Sequence, residues 1–94
     1  MRIDPALCRS ILIAVESDPN AGNGRGVTIA LDGFERDVIS YHVKYLWDNK
    51  MLAGHNVTNM QSTYPEILVT DITPKGRHYL DETEPDKPKR KIGF

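Results

Sequence analysis

The hydrophobic pattern of the chain centres on residues 35–52, where apolar residues recur at helical spacing. Ile39, Val43, Leu46 and Trp47 stand at positions i, i+4, i+7 and i+8 of one helical face. The polar residues of the stretch fall on the other side: Asp37, Ser40, Tyr41, Lys44 and Asp48. The pattern predicts an amphipathic helix that closes a small core with one side and offers the other side to a partner.

A second apolar stripe near the start of the chain predicts another helix. Its members repeat at the same spacing: Leu7, Cys8, Ile11, Leu12 and Val15. Asp4 is a good N-cap and Pro5 suits a first helical turn, so we predict a helix from about residue 5 to 17. Because Cys8 lies on the stripe, we expect it to be a small buried hydrophobe rather than a reactive thiol.

The connection between these helices is rich in glycine and then β-branched. Residues 18–26 are predicted to form a loop, and they lack the Lys-Ser/Thr of a phosphate-binding loop. Residues 27–31 are predicted to form a short strand. Phe34 is expected to pack back on the central helix as a staple, and either Asp32 or Glu35 is the cap of that helix.

A hairpin is predicted after the central helix. Gly54 is expected to break the helix, and residues 55–60 and 66–71 are strand-like. The polar turn at residues 61–65 makes the exposed tip of this hairpin. Three residues are expected to alternate inward: Val57, Ile67 and Val69.

The chain closes with a short helix and a charged segment. Thr73 is the expected N-cap of a helix over residues 74–82, with Tyr79 and Leu80 turned to the core. Residues 84–94 are charged and contain proline, with few large apolar groups. Such a composition cannot offset the entropy of ordering, so we expect a flexible basic tail.

Helix, strand, helix, two-stranded hairpin and short helix together make an α+β chain in an abridged winged-helix order. Residues 39–46, followed by residues 49–52, resemble the pattern V-S-x-H-L-x-x-L…A-G-L-I of recognition helices in bacterial winged-helix regulators. Residues 72–76 with Leu80 resemble the L-T-x-x-G…L signature that follows the wing in the same superfamily. The resemblance implies a helix-turn-helix fold whose central helix reads DNA.

The chain from Asp4 to about Leu80 is most similar to a small family of bacteria and their phages that has no established function. Members open with D-x-x-L-x-R-x-I-L-x-x-[IV]-E, matched here by residues 4–16. They continue with a Gly-aromatic turn and with Y-H-[LV]-K, here residues 33–34 and 41–44.

This sequence departs from the family pattern at two positions. Glu35 stands where a capping serine is usual, and Lys50 replaces the glycine after the recognition helix. We therefore expect the turn into the hairpin to differ from that of other winged helices.

Composition fits one small globular domain, which we place at residues 1–83. The chain has 94 residues, of which 39% are hydrophobic and 27% charged. No apolar run approaches the ~18 residues of a membrane span. The single cysteine excludes an internal disulfide and a cysteine zinc site, and a reducing cytoplasm is the expected location.

The charge of the chain is compatible with DNA binding but does not by itself indicate it. The net charge is −1 and the pI about 6.3, whereas strongly electrostatic nucleic-acid binders often have a pI above about 9. The expected DNA-contacting residues lie on the central helix, on the turn after it and in the tail: Arg36, Ser40, Tyr41, Lys44, Lys50, Lys89, Arg90 and Lys91. The tail cluster serves equally well as a solubilising end. The hairpin tip carries no Lys or Arg, which is unusual for a wing that reaches phosphates.

Catalytic and metal chemistry are not indicated. His42, His55 and His78 share no ligand spacing with one another, so no metal site is expected. No nucleophile–base pair is suggested, and we expect neither an enzyme nor a bound cofactor.

Two hypotheses follow. The first is a dimeric DNA-binding transcriptional regulator of bacterial or phage origin. The second is a winged-helix protein-interaction module, such as a phage factor that binds a host protein. Its basis is the low pI, the bare hairpin tip and four aromatic residues: Tyr41, Tyr45, Trp47 and Tyr64. A net negative surface on the central helix and hairpin would count strongly against DNA.

Overall fold

The fold is α+β, as predicted, and residues 2–83 form three helices and one two-stranded antiparallel sheet. A computed structural model describes residues 2–83. In chain order the elements are α1 (Pro5–Ser17), α2 (Arg36–Asp48), β1 (Leu52–Asn56), β2 (Ile67–Ile72) and α3 (Pro74–Thr83). This order is compatible with a winged-helix-like fold. The predicted flexible tail at residues 84–94 lies outside the described residues.

Helix α1 has the predicted bounds and supplies the largest share of the core. The Asp4 carboxylate accepts a hydrogen bond from the backbone N–H of Ala6 at 3.0 Å, which confirms it as the N-cap. All five residues of the predicted stripe are at most 1% exposed: Leu7, Cys8, Ile11, Leu12 and Val15. The helical spacing of the apolar residues was therefore enough to identify the part of the core that α1 supplies.

Helix α2 packs its predicted apolar side against α1 and the hairpin. Ile39, Val43 and Leu46 are buried, and Trp47 is half-buried. The Trp47 indole donates its N–H to the carbonyl oxygen of Gly54 at 3.1 Å. This bond fastens the end of α2 to the first strand of the hairpin.

His42 is a core residue, although it is not part of the apolar stripe that predicts α2. It is 1% exposed, and its Nε2 lies 2.9 Å from the backbone nitrogen of Asp4. Its Nδ1 lies 2.8 Å from the carbonyl oxygen of Val38. Because a backbone N–H only donates and a carbonyl only accepts, Nε2 is the acceptor and Nδ1 carries the proton. A neutral imidazole thus joins the start of α1 to α2.

The connection between α1 and α2 differs from the prediction in two places. Residues 27–31 do not form the predicted strand, although the Val27 N–H donates to the carbonyl of Val69 on β2 at 2.8 Å. The predicted staple is wrong, since Phe34 is 41% exposed and lies outside the hydrophobic core cluster. Glu35, rather than Asp32, is the N-cap, and its side chain makes no capping hydrogen bond.

The hairpin begins earlier than predicted because the chain turns at Lys50. Lys50 has a φ of +66°, a left-handed conformation that glycine adopts more readily than other residues. Strand β1 therefore starts at Leu52, three residues before the predicted position, and pairs with β2 from Leu52–Ile72 to Asn56–Ile67. Lysine replaces the glycine of the family pattern at this position, yet Lys50 takes the backbone conformation that glycine favours.

Gly54 lies inside β1, opposite a bulge at Thr70 of β2, rather than at a helix break. The strand register shifts between Ala53 and Gly54, and Gly54 has a φ of +155°. A Cβ there would collide with the carbonyl oxygen of Leu68. Beyond the bulge, Val57 is 46% exposed, so its predicted inward orientation is wrong, whereas Val69 is 2% exposed as predicted.

Helix α3 is anchored to the turn that follows α2. The Thr73 hydroxyl accepts from the N–H of Gly76 at 3.1 Å, confirming the predicted N-cap, and donates to the carbonyl of Lys50 at 2.7 Å. A Cβ on Gly76 would collide with the carbonyl of Met51. Glycine is therefore required where α3 crosses the turn. As predicted, Tyr79 is half-buried and Leu80 buried.

We expect Lys50→Gly to raise the free energy of unfolding by about 1 kcal/mol, because glycine adopts a positive φ without a Cβ clash. Lys50→Ala, which removes the charge but keeps Cβ, is expected to change it by less than about 0.5 kcal/mol. Urea denaturation of the three proteins measures both values. Equal stabilities of the glycine and alanine variants would show that the backbone conformation costs nothing.

Candidate functional site

The predicted DNA-contacting residues separate into groups in the structure. Arg36, Ser40 and Tyr41 lie together on the first half of α2, with Arg36 and Tyr41 exposed and Ser40 half-buried. One turn further on, the Lys44 ammonium lies 2.7 Å from a carboxylate oxygen of Asp48. This ion pair offsets the charge that Lys44 would bring to a phosphate.

The remaining predicted cations are not part of that group. Lys50 is exposed but follows the end of α2, about 20 Å from Arg36 at 1.5 Å of rise per residue. Lys89, Arg90 and Lys91 lie outside the described residues. Of the eight predicted residues, the structure thus brings three together.

The surface that α2 and the hairpin form carries more acid than base. Residues 35–72 contain three Lys or Arg and five Asp or Glu, a net charge of −2. The basic residues are Arg36, Lys44 and Lys50. Since phosphate contacts depend on unpaired cations, this balance disfavours a nucleic-acid backbone as the partner.

A cavity of about 320 Å³ separates the first half of α2 from the hairpin. Most of its lining residues are aliphatic and come from residues 27–31, from α2 and from the hairpin: Val27, Ile29, Ile39, Val43, Val57, Ile67, Leu68 and Val69. Arg36, Ser40, Tyr64 and Glu66 add polar groups to the same lining. Its volume falls at the lower end of the range for ligand-binding clefts, roughly 300–1,000 Å³.

A second depression of about 400 Å³ continues the first beyond Arg36 and Tyr64, which line both. It is bounded by residues 35–37 and Tyr41 of the helix side and by Thr63 of the hairpin loop. We call the two depressions together the groove. Three acidic residues line it, Glu35, Asp37 and Glu66, against one basic residue, Arg36. The groove therefore has an apolar floor and an acidic rim.

The hairpin loop that places Tyr64 is held by its own hydrogen bonds. Thr58 Oγ1 accepts from the N–H of Glu66 at 2.8 Å, and the Val57 N–H donates to the Glu66 carbonyl at 2.8 Å. At the tip, Asn59 Oδ1 accepts from the N–H of Gln61 at 2.8 Å. These bonds hold the base and the tip of the loop in place, and the loop positions Tyr64 in the lining of the groove.

The sequence motifs did not identify the groove residues on the hairpin. Tyr64 counts there only as one of four aromatic residues that favour an interface, and Glu66 only as the start of a strand. The one available signal was Tyr64 itself, a single aromatic residue before Pro65 in an otherwise polar turn. An exposed loop rarely holds such a residue without a surface for it to contact.

The other chemistry in the described residues is limited. Within residues 2–83, no group of three His, Cys, Asp or Glu is placed to hold a metal ion. No helix there is long and apolar enough to cross a membrane. Burial, with the nearby Asp4 carboxylate, raises the pKa of the Cys8 thiol to about 11, so it stays protonated at neutral pH, consistent with the small buried hydrophobe predicted.

Comparison with protein families gives one match. The model of the family described as "Hypothetical protein (DUF2513)" matches residues 2–91. No curated protein matches the chain, and no solved structure does. The match confirms the predicted resemblance to a family of unknown function, while membership in the winged-helix superfamily stays a prediction.

Proposed function

The chain belongs to the family described as Hypothetical protein (DUF2513), and we propose that it is a winged-helix interaction module that binds a segment of another protein in the groove. The observation that carries this proposal is the pairing of an aliphatic floor with an acidic rim between α2 and the hairpin. A phage-encoded factor that captures a host protein in the cytoplasm is the setting we propose for it.

The groove defines the chemistry of its partner. Apolar side chains that enter the floor gain roughly 25 cal/mol for each Å² of apolar surface removed from water. Lysine or arginine next to them would face Glu35, Asp37 and Glu66 at the rim. The expected partner is therefore a segment that combines aliphatic with basic residues.

DNA binding is the second candidate. It is supported by Arg36, Ser40 and Tyr41, which share the first half of α2 and suit phosphate and base-edge contacts. The four basic residues within 87–91 would add contacts to the phosphate backbone of DNA, and a dimer would double the number of these contacts. The net charge of −2 over residues 35–72 and the ion-paired Lys44 make this the weaker proposal.

We predict that Ser40→Trp blocks the groove. Ser40 is half-buried in its lining, so an indole there fills the space that a partner needs. A labelled peptide that alternates leucine with lysine should bind the wild-type chain in fluorescence anisotropy. Its affinity should fall at least about tenfold with Ser40→Trp, as is usual for the centre of an interface.

Ser17→Trp is the matched control, because Ser17 is an exposed serine at the end of α1 and does not line the groove. It should bind the peptide as the wild type does. A peptide with glutamate in place of lysine should bind weakly. Equal binding of the leucine–lysine peptide to the wild type and to Ser40→Trp would overturn the proposed site.

We predict no salt-sensitive mobility shift with the DNA upstream of the gene, at either low or physiological salt. If the protein is instead a DNA-binding regulator, the logarithm of its affinity falls steeply with the logarithm of salt concentration. Arg36→Ala would then reduce that slope by about 1, while the exposed loop variant Arg25→Ala would not. That result would favour the second candidate.

A further inference from the structure

The basic C-terminal segment is the one sequence feature that the proposed function leaves unused. The described residues 2–83 contain eight Lys or Arg and eleven Asp or Glu, a net charge of −3. Residues 84–94 contain four Lys or Arg and two Asp or Glu, a net charge of +2. They end in Ile92, Gly93 and Phe94. The segment thus combines basic and apolar side chains, the chemistry that the groove favours.

We infer that residues 84–94 occupy the groove of their own molecule and compete with the partner. In this arrangement Lys89, Arg90 and Lys91 face the acidic rim, and Ile92 or Phe94 enters the aliphatic floor. The inference rests on the proposed function, since it names a regulator of the same site.

The course of α3 brings the segment to the correct end of the domain. Arg77, near the start of α3, lies 3.9 Å from Glu16 near the end of α1, so α3 runs back along α1. Two residues further on, burial raises the pKa of Tyr79, and Cys8 of α1 and Tyr45 of α2 are near enough to raise it further. Helix α3 therefore ends toward the start of α1.

The start of α1 is itself bonded to α2 through Asp4 and His42, one to two turns from the helix end that lines the groove. The eleven residues that follow Thr83 span up to about 36 Å when extended, and α2 is about 20 Å long. The segment is thus long enough to reach the groove.

Attachment to the same chain favours this contact over a free peptide. A short linker gives the tethered segment an effective concentration in the millimolar range, so even a weak contact is substantially occupied. A partner must displace it, which lowers the apparent affinity in proportion to the fraction of free groove. The segment would then set a threshold for partner binding.

The test is the double substitution Lys89→Ser with Arg90→Ser in the full chain, matched to Arg2→Ser with Lys75→Ser, which also removes one lysine and one arginine. Arg2 and Lys75 are exposed and do not line the groove. The tail variant should shift the backbone amide resonances of Ser40, Tyr64 and Glu66. The control should leave them in place. Raising the salt to 1 M, where the screening length is about 3 Å, should move the wild-type resonances toward those of the tail variant.

Three outcomes are decisive. Shifts in the tail variant that persist on dilution support the inference, even if no outside peptide binds and the proposed function fails. Unmoved groove resonances overturn it, whether or not the leucine–lysine peptide binds. Shifts that vanish on dilution assign the contact to a second copy and also overturn it. Where the peptide does bind, its affinity for the tail variant should rise about tenfold if the segment fills nine tenths of the grooves.

Discussion

The buried imidazole of His42 is the interaction on which the arrangement of the domain depends. It accepts from the Asp4 backbone at 2.9 Å and donates to Val38 at 2.8 Å, at 1% exposure. A buried polar group left without its partner costs roughly 1–3 kcal/mol, so the ring strongly favours one relation between α1 and α2. That relation turns Ile39 and Val43 toward the core and leaves the polar side of α2 exposed to solvent.

The rest of the fold extends from this pair of helices. Lys50 turns the chain from α2 into the hairpin, and its carbonyl accepts from the Thr73 hydroxyl that caps α3. Gly76 permits α3 to cross the same turn. The hairpin is thereby held beside the first half of α2, and the space between them is the groove. Glu35, Asp37 and Glu66 make the rim of the groove acidic. An acidic rim repels phosphates, so the groove is poorly suited to a nucleic-acid backbone.

Periodicity was enough to predict α1 and the start of α2, because each apolar stripe is local and its spacing is that of the helix itself. The predicted end of the central helix near residue 52 is wrong, since α2 ends at Asp48. The start of β1 was missed because the turn depends on the φ of Lys50, a conformation that lysine rarely adopts. His42 was not identified as a core residue because its partner, Asp4, is 38 positions away. The groove was missed for the same reason: Val27, Ser40 and Tyr64 meet only in the folded chain.

The most direct test of this account is the protonation of the His42 ring, observed by nitrogen-15 NMR at neutral pH. The account predicts a neutral imidazole with its proton on Nδ1 and a bare Nε2, because the Asp4 backbone N–H can only donate. The exposed His55 and His78 serve as references in the same spectrum. A proton on Nε2 of His42, in either the other tautomer or the imidazolium, would show that α1 and α2 are not joined in this way.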